Sequence, residues 1–189
     1  MKKTMMTLAA VLCCSLAFTA CQKGDSAGGD TPSGDDSKKV ANAQVDYLFQ
    51  TTNDMMQFFD FTLEYIDPAT SQKVSDKITV EEFNKGYKDL QLPLTMGFNF
   101  TATLKEGKTL DELKAVEKMN YILPSPSAWI SMYDKDGKLI GEGGRRVVIS
   151  GPLSVSGERV AQRYEEGSFN KSYLETVDAE GNGTSGEWK

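Results

Sequence analysis

Leu92-Pro93-Leu94-Thr95-Met96-Gly97-Phe98-Asn99-Phe100-Thr101-Ala102-Thr103-Leu104 places an apolar side chain on every second residue, with Thr95, Asn99, Thr101 and Thr103 in the alternate positions. Successive side chains of an extended chain point to opposite faces, so this period describes a long strand buried on one side. Only one register buries the apolar set. Phe98 and Phe100 are expected to face inward, and Asn99 and Thr101 outward. Gly97, which interrupts the pattern, predicts a bulge or bend.

The same alternation recurs on either side. Phe59, Phe61, Leu63 and Tyr65 alternate with Asp60, Thr62 and Glu64 up to the turn signal Asp67-Pro68. Val74, Asp76, Ile78 and Val80 read as the returning strand. Val45, Tyr47 and Phe49 form a first strand, after which Asn53 is placed to cap one helical turn. Residues 128–133 and 138–140 flank Asp134-Lys135-Asp136-Gly137, a hairpin turn in which Asp-Gly favours positive backbone dihedrals. Residues 145–150 and 169–177 complete the strand candidates. Thr109-Leu110-Asp111-Glu112 has the spacing of a capping box, and residues 156–164 predict a short helix that stops at Gly167. Several short strands with polar outer faces predict a mainly β fold: an Ig-like antiparallel two-sheet β-sandwich with one or two short helices, over residues 41–178.

Charge and composition narrow the chemistry. The chain has 21 basic and 27 acidic residues, net −6, and loss of Lys2 and Lys3 with a leader would make it two charges more negative. An acidic chain whose only adjacent basic pairs beyond Lys2-Lys3 of the leader are Lys38-Lys39 and Arg145-Arg146 does not suit nucleic acid. There is no histidine, which excludes Ser-His-Asp and Cys-His nucleophilic sites and His-ligated zinc.

The start of the chain is an address. Lys2 and Lys3 precede an apolar run to Phe18, shorter than the ~20 residues a spanning helix needs, and small residues lead to Ala20 and Cys21. This run resembles the lipobox of bacterial lipoproteins, with Phe18 where an aliphatic residue is usual. The resemblance implies cleavage between Ala20 and Cys21, so that residues 1–20 are a signal peptide and Cys21 carries the lipid that joins the protein to the membrane. Cys13 and Cys14 fall within the leader, so the mature chain keeps only Cys21 and has no intramolecular disulfide. From Gln22 to Lys39 no aromatic or aliphatic residue is larger than Ala27, which makes residues 21–40 a flexible tether that spans on the order of 25 Å. Residues 179–189, rich in glycine, read as a flexible tail with Trp188 exposed or loosely docked.

Cys21-Gln22-Lys23-Gly24-Asp25, the turn before Phe59-Asp60-Phe61, the Leu92-Pro93 approach to Phe98-Asn99-Phe100 and the hairpin at Tyr133-Asp134 together resemble the small uncharacterised Ig-like β-sandwich lipoproteins of Bacteroidota-type bacteria. The resemblance implies the fold, export and anchoring in the outer membrane, on the periplasmic or cell-surface face. It carries no activity. It also makes Ser26, in Asp25-Ser26-Ala27, a candidate O-glycosylation acceptor.

Asp134-Lys135-Asp136-Gly137 resembles the opening of a calcium loop, yet Arg145 stands where the closing bidentate Glu would be, so it reads as a turn and no metal site is expected. The pairs Asp111-Glu112 and Glu165-Glu166 read as solvated. Trp129 is assigned to the sandwich core, the alternative being a sugar platform shared with Tyr121, Tyr133 and Phe98. Adjacent Arg145 and Arg146 must point to opposite faces and so cannot form one clamp. No catalytic residue and no cofactor are expected. The function read from these features is a tethered non-catalytic module, structural or binding a glycan or protein through the turn 68–73 or the loop 105–109. The alternative is a carboxylate-dependent glycoside hydrolase or an accessory subunit of a polysaccharide-uptake system.

Overall fold

The computed structural model describes residues 39–148 and 151–189. Ala20, Cys21 and Ser26, with the leader and nearly all of the tether, lie outside the described residues.

The chain opens with β1 (Asn42–Gln50), α1 (Asn53–Phe58) and β2 (Phe59–Ile66), then β3 (Lys73–Ile78), β4 (Glu82–Leu90) and β5 (Leu94–Leu104). Next come α2 (Leu110–Lys114), β6 (Met119–Tyr121), β7 (Ser127–Tyr133), β8 (Leu139–Arg145) and β9 (Leu153–Val155). The chain ends with α3 (Gly157–Glu165), β10 (Lys171–Val177) and β11 (Gly183–Gly186). The strands make a four-stranded sheet ordered β4-β1-β7-β8, a five-stranded sheet ordered β11-β10-β5-β2-β3 and a two-stranded ribbon of β6 and β9. All pairings are antiparallel. The described residues therefore form a mainly β, two-sheet sandwich with three short helices.

The core lies where the two inner faces meet. Tyr47 and Phe49 of β1 enter from the four-stranded sheet, and Phe61, Leu63, Met96, Phe98 and Phe100 from the five-stranded one; all are fully buried. Phe49 sits 4.5 Å from Phe100 and 5.5 Å from Phe61 between ring centroids, the separations at which tilted aromatic pairs attract. The Tyr47 hydroxyl donates to the Ile66 carbonyl at 2.6 Å and accepts from the Gly97 amide at 3.2 Å, so this phenol is buried without an unmet bond. Burial pushes its pKa up, as it does for Tyr65, whose hydroxyl donates to Asp76.

β5 has the orientation expected of it: Phe98 and Phe100 are buried and Asn99 and Thr101 lie on the other face. Its strand begins at Leu94, after Pro93, which has no amide proton to give a ladder. Gly97 is no bulge, because β5 keeps one register with β10 through that residue. It is instead a close approach: a Cβ there would lie 2.4 Å from the Tyr173 carbonyl oxygen.

The helices start and stop as their signals require, with one shift. Thr52 rather than Asn53 caps α1, its hydroxyl accepting from the Met55 amide at 3.2 Å. Thr109 and Glu112 form the capping box of α2, and these hydrogen bonds hold the Glu112 carboxyl below its usual range. Ser156 caps α3, and Gly167, in the left-handed region at φ +71°, ends it.

The strand candidate at 145–150 is corrected. β8 is a single strand from Leu139 to Arg145, Val148 is exposed, and Ile149 and Ser150 are outside the described residues. Val80 belongs to the turn after β3 and is exposed. The C-terminal run also differs from the reading as a loose tail. Asp178 accepts from the amides of Glu180 and Asn182, closing a turn that lets β11 pair with β10. The Asn182 side-chain amide, which also donates to this carboxylate, and these backbone bonds hold the Asp178 carboxyl below its usual range. Beyond β11, Trp188 packs against Lys73, whose ammonium lies 4.7 Å from the ring centroid.

Candidate functional site

Trp129 is not in the core. Along β7 the inward residues are Ala128, Ile130 and Met132, at 0, 0 and 7 % exposure, and they fill the sandwich. Period two then turns Trp129, Ser131 and Tyr133 to the outer face of the four-stranded sheet. Trp129 and Tyr133 are half-buried there, and neither packs against the core cluster. The other two aromatic residues considered with them are elsewhere. Phe98 is fully buried, 6.0 Å from Tyr173, and Tyr121 lies on β6, 6.3 Å from Phe169, where burial pushes its pKa up to about 12.

Strand register decides what surrounds the indole. Trp129 stands opposite Asp46 of β1 and Gly144 of β8, and Asp46 in turn opposite Gly86 of β4. One position along, Ser131 stands between Gln44 and Glu142. The Gln44 amide donates to the Asp46 carboxylate at 2.8 Å, fixing both side chains along β1. Arg146 covers the Trp129 ring, its guanidinium carbon 5.3 Å from the centroid, and pairs with Glu142 at 3.9 Å. Gly143 and Gly144 contribute no side chains, which leaves beside the indole an open groove of about 240 Å³ lined by Trp129, Glu142, Gly143, Gly144 and Arg146.

Arg145 and Arg146 do point apart. Arg146 lies on the indole side, while the Arg145 Nε is buried without a partner among the described residues.

The remaining sequence candidates are occupied by the fold. Asp134 is buried and its carboxylate accepts from the amides of Asp136 and Lys138, both at 2.9 Å, so it closes the hairpin turn. Among the described residues no group of three His, Cys, Asp or Glu side chains is placed to hold a metal ion. Glu112 serves the capping box, Glu165 pairs with Lys114 at 3.4 Å and Glu166 with Arg163 at 3.7 Å. The turn 68–73 follows the Ile66 end of β2, and the loop 105–109 follows Leu104, which stands opposite Phe59 at the other end of β2; the two therefore cannot form one surface.

No protein-family model, no curated protein and no solved structure matches this chain.

Proposed function

We propose that this chain is a lipid-anchored envelope protein, held by acyl chains on Cys21, whose sandwich is a non-catalytic module that binds a glycan on the outer face of the four-stranded sheet. The observation that carries the proposal is the outward placement of Trp129 among Gln44, Asp46, Ser131 and Glu142. A sugar ring offers C–H groups on its faces and hydroxyls at its rim. An indole face suits the first, and carboxylate, amide and hydroxyl oxygens accept from the second.

A binding role is supported over hydrolysis by the groove itself. Among the described residues Glu142 is the one carboxylate that lines it and is paired with Arg146, while Asp46, beside the indole on the other strand, is tied to the Gln44 amide. General acid catalysis needs a second carboxyl held across the bond, with its pKa raised.

Replacing Trp129 with Ala is expected to weaken retention in glycan-containing affinity gels by about tenfold while leaving the melting temperature unchanged. Unchanged retention would contradict the proposed site. The anchor has its own test. Among the described residues no helix is long and apolar enough to cross a membrane. Cys21→Ser is therefore expected to move the protein from the detergent-requiring fraction to the soluble one, since several acyl chains hold a lipoprotein firmly and the serine variant would carry none. Retention with the membrane would contradict lipid anchoring.

A further inference from the structure

We infer that the ligand is an extended, uncharged glycan chain lying along β7 and stacking at two positions, Trp129 and Tyr133. This rests on the glycan reading above and goes beyond it in ligand charge, length and direction.

Length and direction follow from strand geometry. Trp129 and Tyr133 are four residues apart on one face of one strand, which separates them by about 13 Å at the rise of an antiparallel strand. A single sugar ring cannot reach both. Neither aromatic is taken up by the core, and both are only half-buried.

Charge follows from the strip between them. Ser131 occupies the midpoint, flanked by Gln44 on β1 and Glu142 on β8, and Asp46 stands beside Trp129. Two carboxylates and an amide are hydrogen-bond partners for sugar hydroxyls, above a midpoint Ser131 that is itself buried. They repel a uronate or sulfated polymer, because a ligand carboxylate laid over Asp46 or Glu142 would place like charges together. Among the described residues Arg146 is the one cation lining the groove, and it is engaged by Glu142 and by the indole.

Calorimetric titration of the detergent-solubilised full-length protein tests this. The probes are cello-, xylo-, manno- and malto-oligosaccharides from the disaccharide to the hexasaccharide, with oligogalacturonides as the anionic series. Affinity for at least one neutral series is expected to rise with length and then level off. Tyr133→Ala is expected to weaken the hexasaccharide about tenfold and leave the disaccharide unchanged, whereas Trp129→Ala weakens both. Tighter binding of oligogalacturonides, or an equal effect of Tyr133→Ala at every length, would overturn the inference while leaving glycan binding intact. Failure of every series to bind the unmodified protein would overturn both readings.

Discussion

Phe100→Ala is expected to destabilise the domain by about 3–5 kcal/mol, while Thr101→Ala, the next residue, stays within about 0.5 kcal/mol. Phe100 is fully buried between Phe49 of the facing sheet, 4.5 Å away, and Phe61 of its neighbouring strand, 5.8 Å away. Removing the ring deletes contacts to both sheets at once. The two facing rings belong to strands of different sheets, β1 and β2, so they cannot collapse together to fill the space. Thr101 lies on the outer face opposite Thr62 and loses little. Urea unfolding of the two variants separates the cases: equal shifts in midpoint would contradict the orientation of β5.

Gly157→Ala should release α3 from α2. A Cβ at Gly157 would lie 1.8 Å from the Leu113 carbonyl oxygen, and the obstacle is backbone, which cannot rotate aside as a side chain can. The Gly157 amide also donates to the Val116 carbonyl at 2.8 Å, so moving the helix to admit the methyl breaks that bond as well. Alanine is the better helix former, and propensity alone would make the substitution stabilising by up to about 1 kcal/mol. Overpacking is expected to win, with a net loss of roughly 1–3 kcal/mol and faster hydrogen exchange in α2 and α3. A stabilised variant would mean that the two helices do not meet as described.

The parts of the fold that were legible in the sequence are those where one face is buried and the other wet. β5, β2 and β1 alternate cleanly because each lies between two neighbours in its sheet. β4 gave no such signal. It is an edge strand, and the register shift between Ala43 and Val45 brings Tyr87 and Leu90 opposite inward residues although they are three apart. β11 is Gly-Thr-Ser-Gly; backbone pairing with β10 holds it, and no apolar pattern could announce it.

At the site, the parity signal is present in β7. Apolar Ala128, Ile130 and Met132 dominate the run, but the polar Ser127 and Ser131 share the parity of Trp129 and Tyr133. The same period-two argument that oriented Phe98 and Phe100 puts the indole outside. Asp46 and Glu142 could not be joined to it from sequence, because their proximity depends on which strands pair and in what register.

The chain has only two tryptophans, so Trp188→Phe leaves Trp129 as the sole indole reporter. Titrating that variant with the neutral hexasaccharide that binds best is expected to give a saturable change in tryptophan emission, with the same affinity as calorimetry on the unmodified protein. An emission that stays constant while calorimetry registers saturation would place the ligand elsewhere on the molecule and contradict the assignment of Trp129 as the binding surface.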